Sequence, residues 1–243
     1  MRSVVLIGGI IFVAASASGQ NLIINSGFED GNTGFFSDYS YSSGGNCCEG
    51  QYTVRNVGST FNGAFVNPPP SIPGSVQMMV VNGSTVPNLR IWRQNVVVTP
   101  GRTYDLALQG CTAVAGGPAI LQFQVRGILI GGAVTLPAVT GEWRTLTARW
   151  SAPAGVTSVE VAVRDLNTAT FPNDFYLDNI TMTPACLADF NGDGFVDGFD
   201  YDEFVACFEG DPCPPGKSAD FNGDGFADGF DYDDFVTAFE TGC

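Results

Sequence analysis

A chain of 243 residues with a formal charge of −15 is longer than one small domain needs, and such a balance argues against nucleic acid, whose phosphates require a basic face. Histidine is absent, which removes histidine-dependent triads and imidazole zinc sites in one step. The acidity is local: from Cys186 onward there are 15 acids against Lys217 alone, whereas residues 1–185 carry 10 acids and nine arginines.

The first residues are Met1-Arg2-Ser3, an apolar run from Val4 to Ala15, and small residues up to Gln20. A positive start, an apolar stretch too short to span a bilayer stably and small residues for a peptidase predict a signal peptide over 1–19. The mature chain is then secreted or associated with the cell surface, with no membrane span, because no later stretch approaches the roughly 20 apolar residues a spanning helix needs. Seven cysteines in that setting predict disulfides and not a metal–thiolate site.

Residues 20–184 are rich in Gly, Pro, Thr and Val and alternate with period two: Tyr104, Leu106, Leu108; Leu121, Phe123, Val125; Val159, Val161, Val163. Further strands are expected over 76–81, 91–98, 143–150 and 175–182, with turns at Asn82-Gly83, Pro100-Gly101, Gly116-Gly117-Pro118, Gly131-Gly132, Gly141 and Pro153. Many strands at short intervals predict a mainly β fold, a sandwich. Sugar recognition needs flat aromatic faces with polar donors beside them. Trp92, flanked by Arg90, Arg93 and Gln94, fits that description best, followed by Tyr41 and Tyr52.

Residues 185–243 hold a duplication. The segments ADFNGDGFVDGFDYDEFV and ADFNGDGFADGFDYDDFV recur 31 residues apart and differ at two positions. Within 189–200, loop positions 1, 3, 5, 9 and 12 are Asp189, Asn191, Asp193, Asp197 and Asp200; within 220–231 they are Asp220, Asn222, Asp224, Asp228 and Asp231. Gly194 and Gly225 occupy the sharp turn at position 6, and Phe195 and Phe226 would offer carbonyls at position 7. This is the oxygen pattern of an EF-hand-like loop, and calcium, which accepts 6 to 8 oxygens in flexible geometry, suits it better than magnesium. Carboxylates held within ~5 Å of one another repel by about 1 to 3 kcal/mol per pair, so each loop is expected to need its ion in order to fold. A helix should follow each loop, with Phe199, Phe204 and Phe208 on one stripe and Phe230, Phe235 and Phe239 on the other. No helix can enter the second loop through Asp211-Pro212-Cys213-Pro214-Pro215-Gly216.

Two loop–helix units without entering helices resemble a dockerin, the calcium-dependent module that attaches secreted polysaccharide-degrading proteins to cohesin-bearing scaffolds. Cys186, the proline-rich connector and the terminal Gly242-Cys243 resemble the GC-type, planctomycete-like subgroup. The resemblance implies a partner face at Gly198, Phe199, Gly229 and Phe230, and a cohesin-like or other surface attachment partner. The basic pair usual in cohesin binders is replaced here by Ala206-Cys207 and Thr237-Ala238. It also implies that the two ends of the module meet, pairing Cys186 with Cys243 and leaving Cys207 for Cys213; the pairing of Cys186 with Cys207 and Cys213 with Cys243 stays open.

In the larger region, NLIINSGFED, TGEWRTLTARWSAP and FYLDNITM resemble the opening, late-middle and closing strands of family 4/9-type carbohydrate-binding modules, which are galactose-binding-like jelly rolls. That resemblance implies a structural calcium held by Glu29 and Asp178, and a polysaccharide ligand. Three readings follow: a non-catalytic binding protein anchored through its dockerin, a polysaccharide hydrolase of a cellulosome-like system, or an adhesin that contacts protein. No catalytic residues are assigned.

Overall fold

The computed structural model describes residues 15–16, 19–45, 48–168, 173–193 and 195–241, so most of the expected signal peptide lies outside the described residues. Two compact units form, Gln20–Pro184 and a second comprising Ala185–Cys243 with Met1–Gly19.

The first unit is a two-sheet sandwich. After β1 (Ala15–Ser16), which belongs to the second unit, come β2 (Ser40–Tyr41), β3 (Gln51–Arg55), β4 (Met78–Asn82), β5 (Arg90–Val97) and β6 (Thr103–Thr112). They are followed by β7 (Ile120–Val125), β8 (Ile128–Thr135), β9 (Trp143–Ser151), β10 (Ser158–Asp165) and β11 (Phe175–Pro184). One sheet has the order β2-β3-β4-β11-β6-β9 and the other β5-β10-β7-β8. From β4 onward every connection except the β7–β8 hairpin carries the chain to the opposite sheet, as a jelly roll requires. The period-two triplets of β6, β7 and β10 all lie in the shared core, together with Trp92, Phe175 and Leu177.

β4 is buried on both faces. Met79 and Val81 enter the main core, while Met78 and Val80 join Phe61, Phe65, Cys111, Ala113 and Tyr176 in a second cluster on the other side of the sheet. The strap that carries Phe61 and Phe65 is tied down where Tyr176 Oη donates to the Val66 carbonyl at 3.0 Å and Trp143 Nε1 to that of Pro69 at 2.7 Å. Gly58 is required there, since a Cβ would stand 2.1 Å from Tyr176 Oη. Cys111 is a buried free thiol, pushed up to about 11 by its burial.

Within the sandwich two expectations need correction. The opening segment is not a strand; the Asn25 amide donates to the carbonyls of Gly31 and Thr33 and accepts from Asp30 N, folding the chain into turns. Those turns still reach β11, through Leu22 N to Met182 O and Ile180 N to Ser26 O, both 2.8 Å. Gly131-Gly132 is likewise no turn but lies inside β8. The reversal occurs at Arg126-Gly127, with φ of 53° and 80°, and a Cβ on Gly131 would stand 2.8 Å from that of Ala148.

In the second unit β1 pairs with β12 (Phe195–Val196), and each acidic loop leads into a helix, α1 (Gly198–Phe208) and α2 (Gly229–Thr241). The Phe204 and Phe235 rings stack at 3.9 Å and 8°, with Phe190 and Phe221 edge-on to both. Tyr201 lies against Phe239 as Tyr232 lies against Phe208, so the repeat is also a pseudo-twofold in space. Phe199 and Phe230 leave the expected stripe and are 72% and 71% exposed. Five residues separate Phe199 from Phe204, a rotation of about 140°, so Tyr201 takes the inward place. Cys207 pairs with Cys213, and Cys186 is also disulfide-bonded. Cys243, its expected partner, lies outside the described residues.

Candidate functional site

On the outer side of the four-stranded sheet two arginines and two acids form a closed square. Arg90 grips Asp38 with Nε at 2.8 Å and Nη2 at 3.0 Å, and reaches Glu160 with Nη1 at 2.8 Å. Arg93 meets Glu160 at 3.2 Å and Asp38 at 3.5 Å. Strand alternation turns Arg93 and Asn95 outward while Trp92, Gln94 and Val96 face inward, Glu160 stands opposite Asn95 across the β5–β10 pair, and Arg90 lies beyond the register shift that follows the Trp92 pair. Burial pushes the Asp38 carboxyl up, but the hydrogen bonds from Arg90 and the charges of Arg90 and Arg93 outweigh it and hold Asp38 below the usual carboxylate range. Phe36, 62% exposed, joins the edge of this sheet by pairing with Arg93, whose guanidinium lies 5.3 Å over its ring. The result is a fixed array of donors and acceptors beside an exposed aromatic ring, the chemistry that hydroxyl-rich ligands use.

This arrangement keeps Arg90 and removes Trp92. Trp92 is wholly buried, its Nε1 without a partner among the described residues, and presents no face to a ligand. Its flanking Gln94 is also buried, bonding Ile24 and the Gly34 carbonyl. Tyr52 is buried too, donating to Asn32 at 2.9 Å, whereas Tyr41 is exposed and tilted over it at 5.5 Å, both on the six-stranded sheet. Sequence reasoning missed Phe36, Asp38 and Glu160. The alternation of β10 signalled Glu160 as outward; Phe36 and Asp38 lie in an irregular segment that carries no such signal.

Glu29 and Asp178 converge from distant segments. Ser75 Oγ lies 2.7 Å from Asp178 Oδ2 and 3.4 Å from Glu29 Oε1, and Ser71 also donates to Asp178. Glu29 Oε1 accepts from the N–H groups of Val76 and Gln77 at 2.7 and 3.0 Å. Burial, and to a lesser degree the Glu29 charge, raises the Asp178 pKa. Four oxygen-bearing side chains with no base among them suit a hard cation.

The acidic loops are built alike. Asp200 and Asp231, at position 12, are fully buried inside their loops. Asp200 accepts from Asn191 N at 3.0 Å and Asp197 N at 2.9 Å; Asp231 accepts from Phe221 N, Asn222 N and Asp228 N at 2.7, 3.0 and 2.8 Å. Asp197 returns the bond as N-cap of α1, so the short position-12 residue also closes a capping box that locks helix to loop. Backbone donors from Asn222 and Asp228 hold Asp231 below the usual carboxylate range. Asp189 and Asp220 turn onto Gly192 N and Gly223 N, Asp193 and Asp224 onto Phe195 N and Phe226 N. Among the described residues no three Asp, Glu, Cys or His side chains converge as a ready metal cluster. Gly198 and Gly229 open the two helices beside the exposed Phe199 and Phe230, and Phe195 and Phe226 are exposed as well.

No family model matches this chain, and no curated protein matches it. Solved structures overlap with part of it. The tandem CBM22-1–CBM22-2 domain of Paenibacillus barcinonensis Xyn10C is 16% identical over 71% of this chain and 48% of its own, with a TM-score of 0.47. A family 16 carbohydrate-binding module is 20% identical over 67% of this chain and 99% of its own, TM-score 0.39. A CBM4 structure is 13% identical with the same coverage and TM-score.

Proposed function

We propose that this is a secreted, non-catalytic carbohydrate-binding protein whose sandwich takes a polysaccharide and whose C-terminal unit, dockerin-like and calcium-dependent, attaches it to a surface or complex. The observation that carries the binding role is the Arg90–Asp38–Arg93–Glu160 square beside Phe36: planar donors held rigidly in place, as a polyhydroxyl ligand requires. Asp38 and Glu160 are each neutralised by two arginines, which suits positioning and not proton transfer.

The attachment role rests on the duplicated loops. Asp189, Asn191, Asp193, Asp197 and Asp200 with the Phe195 carbonyl, and Asp220, Asn222, Asp224, Asp228 and Asp231 with the Phe226 carbonyl, would each hold one calcium ion; Glu29 and Asp178 would hold a third. The ion supplies positive charge that the clustered carboxylates lack. The residues themselves fix the loop path by backbone hydrogen bonds and leave Phe199 and Phe230 outside for a cohesin-like or other partner.

Arg90→Ala in the full chain should abolish retention on insoluble polysaccharide in affinity electrophoresis while the sandwich still melts cooperatively. Unchanged retention would move the ligand away from this face.

A further inference from the structure

Arg90 and Arg93 share Asp38 and Glu160, two cations on two anions, and leave a third guanidinium of the same face over. Arg164 follows the inward Val163 in β10 and so turns outward, directly opposite Arg90 on β5 and Gln122 on β7. We infer that this face takes an acidic polysaccharide, whose carboxylate or sulfate oxyanion lies over Arg164. The inference deepens the reading above that a polysaccharide occupies the face, and rests on it.

Among the described residues no carboxylate pairs with Arg164: its Nη2 donates to the neutral Asn88 Oδ1 at 2.5 Å, and its Nε has no partner. Arg164 is only 8% exposed, and an unpaired charge so covered is costly. Like charges opposite one another on neighbouring strands add to that cost, and Arg90 is such a neighbour. Gln122 is neutral and bonds the Gly131 carbonyl at 2.7 Å. Asp165, next in the chain, stands opposite the core residue Leu121 and points into the sandwich instead. Its Oδ1 accepts from Ile120 N and Asn167 N, both at 2.9 Å, and burial pushes its carboxyl up to about 7. Three guanidiniums therefore meet two carboxylates on this face, and an anion from outside completes the set.

Two arguments make that anion part of a sugar chain. The exposed Phe36 ring and the fixed donors of the square stand on the same face and offer surfaces for C–H groups and hydroxyls, which a simple anion would not use. Neighbouring strands lie about 4.8 Å apart, so a chain bonded at Arg90 passes one strand away from Arg164. The charge of the whole chain, −15, opposes any preference for polyanions, so a preference for acidic sugars has to be local.

The test titrates the full chain calorimetrically at about 0.15 M salt, where charges more than about 8 Å away are screened. Oligosaccharides of polygalacturonate and glucuronoxylan are compared with their neutral methyl esters, and those of carrageenan with their desulfated forms. At least one acidic member should bind roughly tenfold or more tighter than its neutral counterpart, and the pair that shows it separates carboxylate from sulfate. Asn88→Asp gives Arg164 a carboxylate of its own from an exposed loop position whose φ of 69° aspartate tolerates. It should erase that preference and leave the affinity for the neutral counterpart unchanged; Arg164→Gln should erase the preference too. Arg90→Ala should abolish the binding of both members. Equal binding within every pair overturns the inference and leaves the polysaccharide reading standing, and so does a preference that survives Asn88→Asp. Binding that Arg90→Ala leaves intact, or no binding by any member, overturns both.

Discussion

The two units solve the stability problem by opposite means. The sandwich closes a broad apolar core between two sheets and adds a second cluster outside β4. Among its described residues the C-terminal unit has four fully packed core residues, Phe190, Phe204, Cys207 and Phe235, with a ring of partly buried aromatics, and it carries 15 acids in its sequence. A unit that small needs staples, and disulfides and ions are the available kinds. The difference teaches where to look for conditional behaviour: the sandwich buries a broad apolar core, whereas the smaller unit sets a few aromatic rings and the Cys207–Cys213 bridge against 15 acids.

The largest effect should come from chelation. Calorimetry of the full chain should show two transitions in calcium; removing the ion should abolish the one belonging to the C-terminal unit and leave the sandwich transition within a few degrees. Two unchanged transitions would erase the distinction between the units.

Core truncations should respect the boundary. Trp92→Ala should cost the sandwich about 3–5 kcal/mol, read as a lower denaturant midpoint, and Phe204→Ala a similar amount in the other unit, each leaving the other transition alone. A mild effect of Trp92→Ala would return that residue to the surface.

The pH dependence should run in opposite directions. Burial raises Asp165 from 3.8 to about 7, so the folded sandwich binds a proton that the unfolded chain has released, and stability falls as pH rises from about 4 to 7, by the order of a few kcal/mol. Asp231 is depressed, so its contribution is present above the ordinary aspartate pKa of 3.8 and is lost as pH falls through its lower folded value. Melting curves between pH 4 and 7 should therefore show a declining sandwich transition, and Asp165→Asn should flatten that slope.

The smallest change should come from Cys207→Ser. Opening a bridge across a separation of six residues should cost about 2 kcal/mol in the C-terminal unit and nothing in the sandwich. The Cys207–Cys213 bond is one of the two pairings the sequence left open.

Legibility followed periodicity. The alternating triplets of β6, β7 and β10 gave both the strands and their inward faces, and the near-identical repeat gave the loops and the helices behind them. Trp92 was misplaced because flanking polar residues do not reveal strand phase: Arg93 and Trp92 are neighbours in sequence and on opposite faces in space. Glu29 and Asp178 were brought together by resemblance alone, and Ser71 and Ser75 escaped notice because a serine in a proline-rich strap has no pattern to betray it. The capping box at Asp197 and Asp200 was visible in the spacing, but the metal reading of the same two residues obscured it.

The stacked rings of Phe204 and Phe235 have a consequence for how such a unit assembles. Each repeat carries half of a stack that it cannot complete alone, so separated halves would have to meet by diffusion, as a dimer does, and would part on dilution. Joined by the short connector through Cys213, they meet at an effective concentration in the millimolar range whatever the amount of protein present. The repeat thereby converts a concentration-dependent association into a property of one chain.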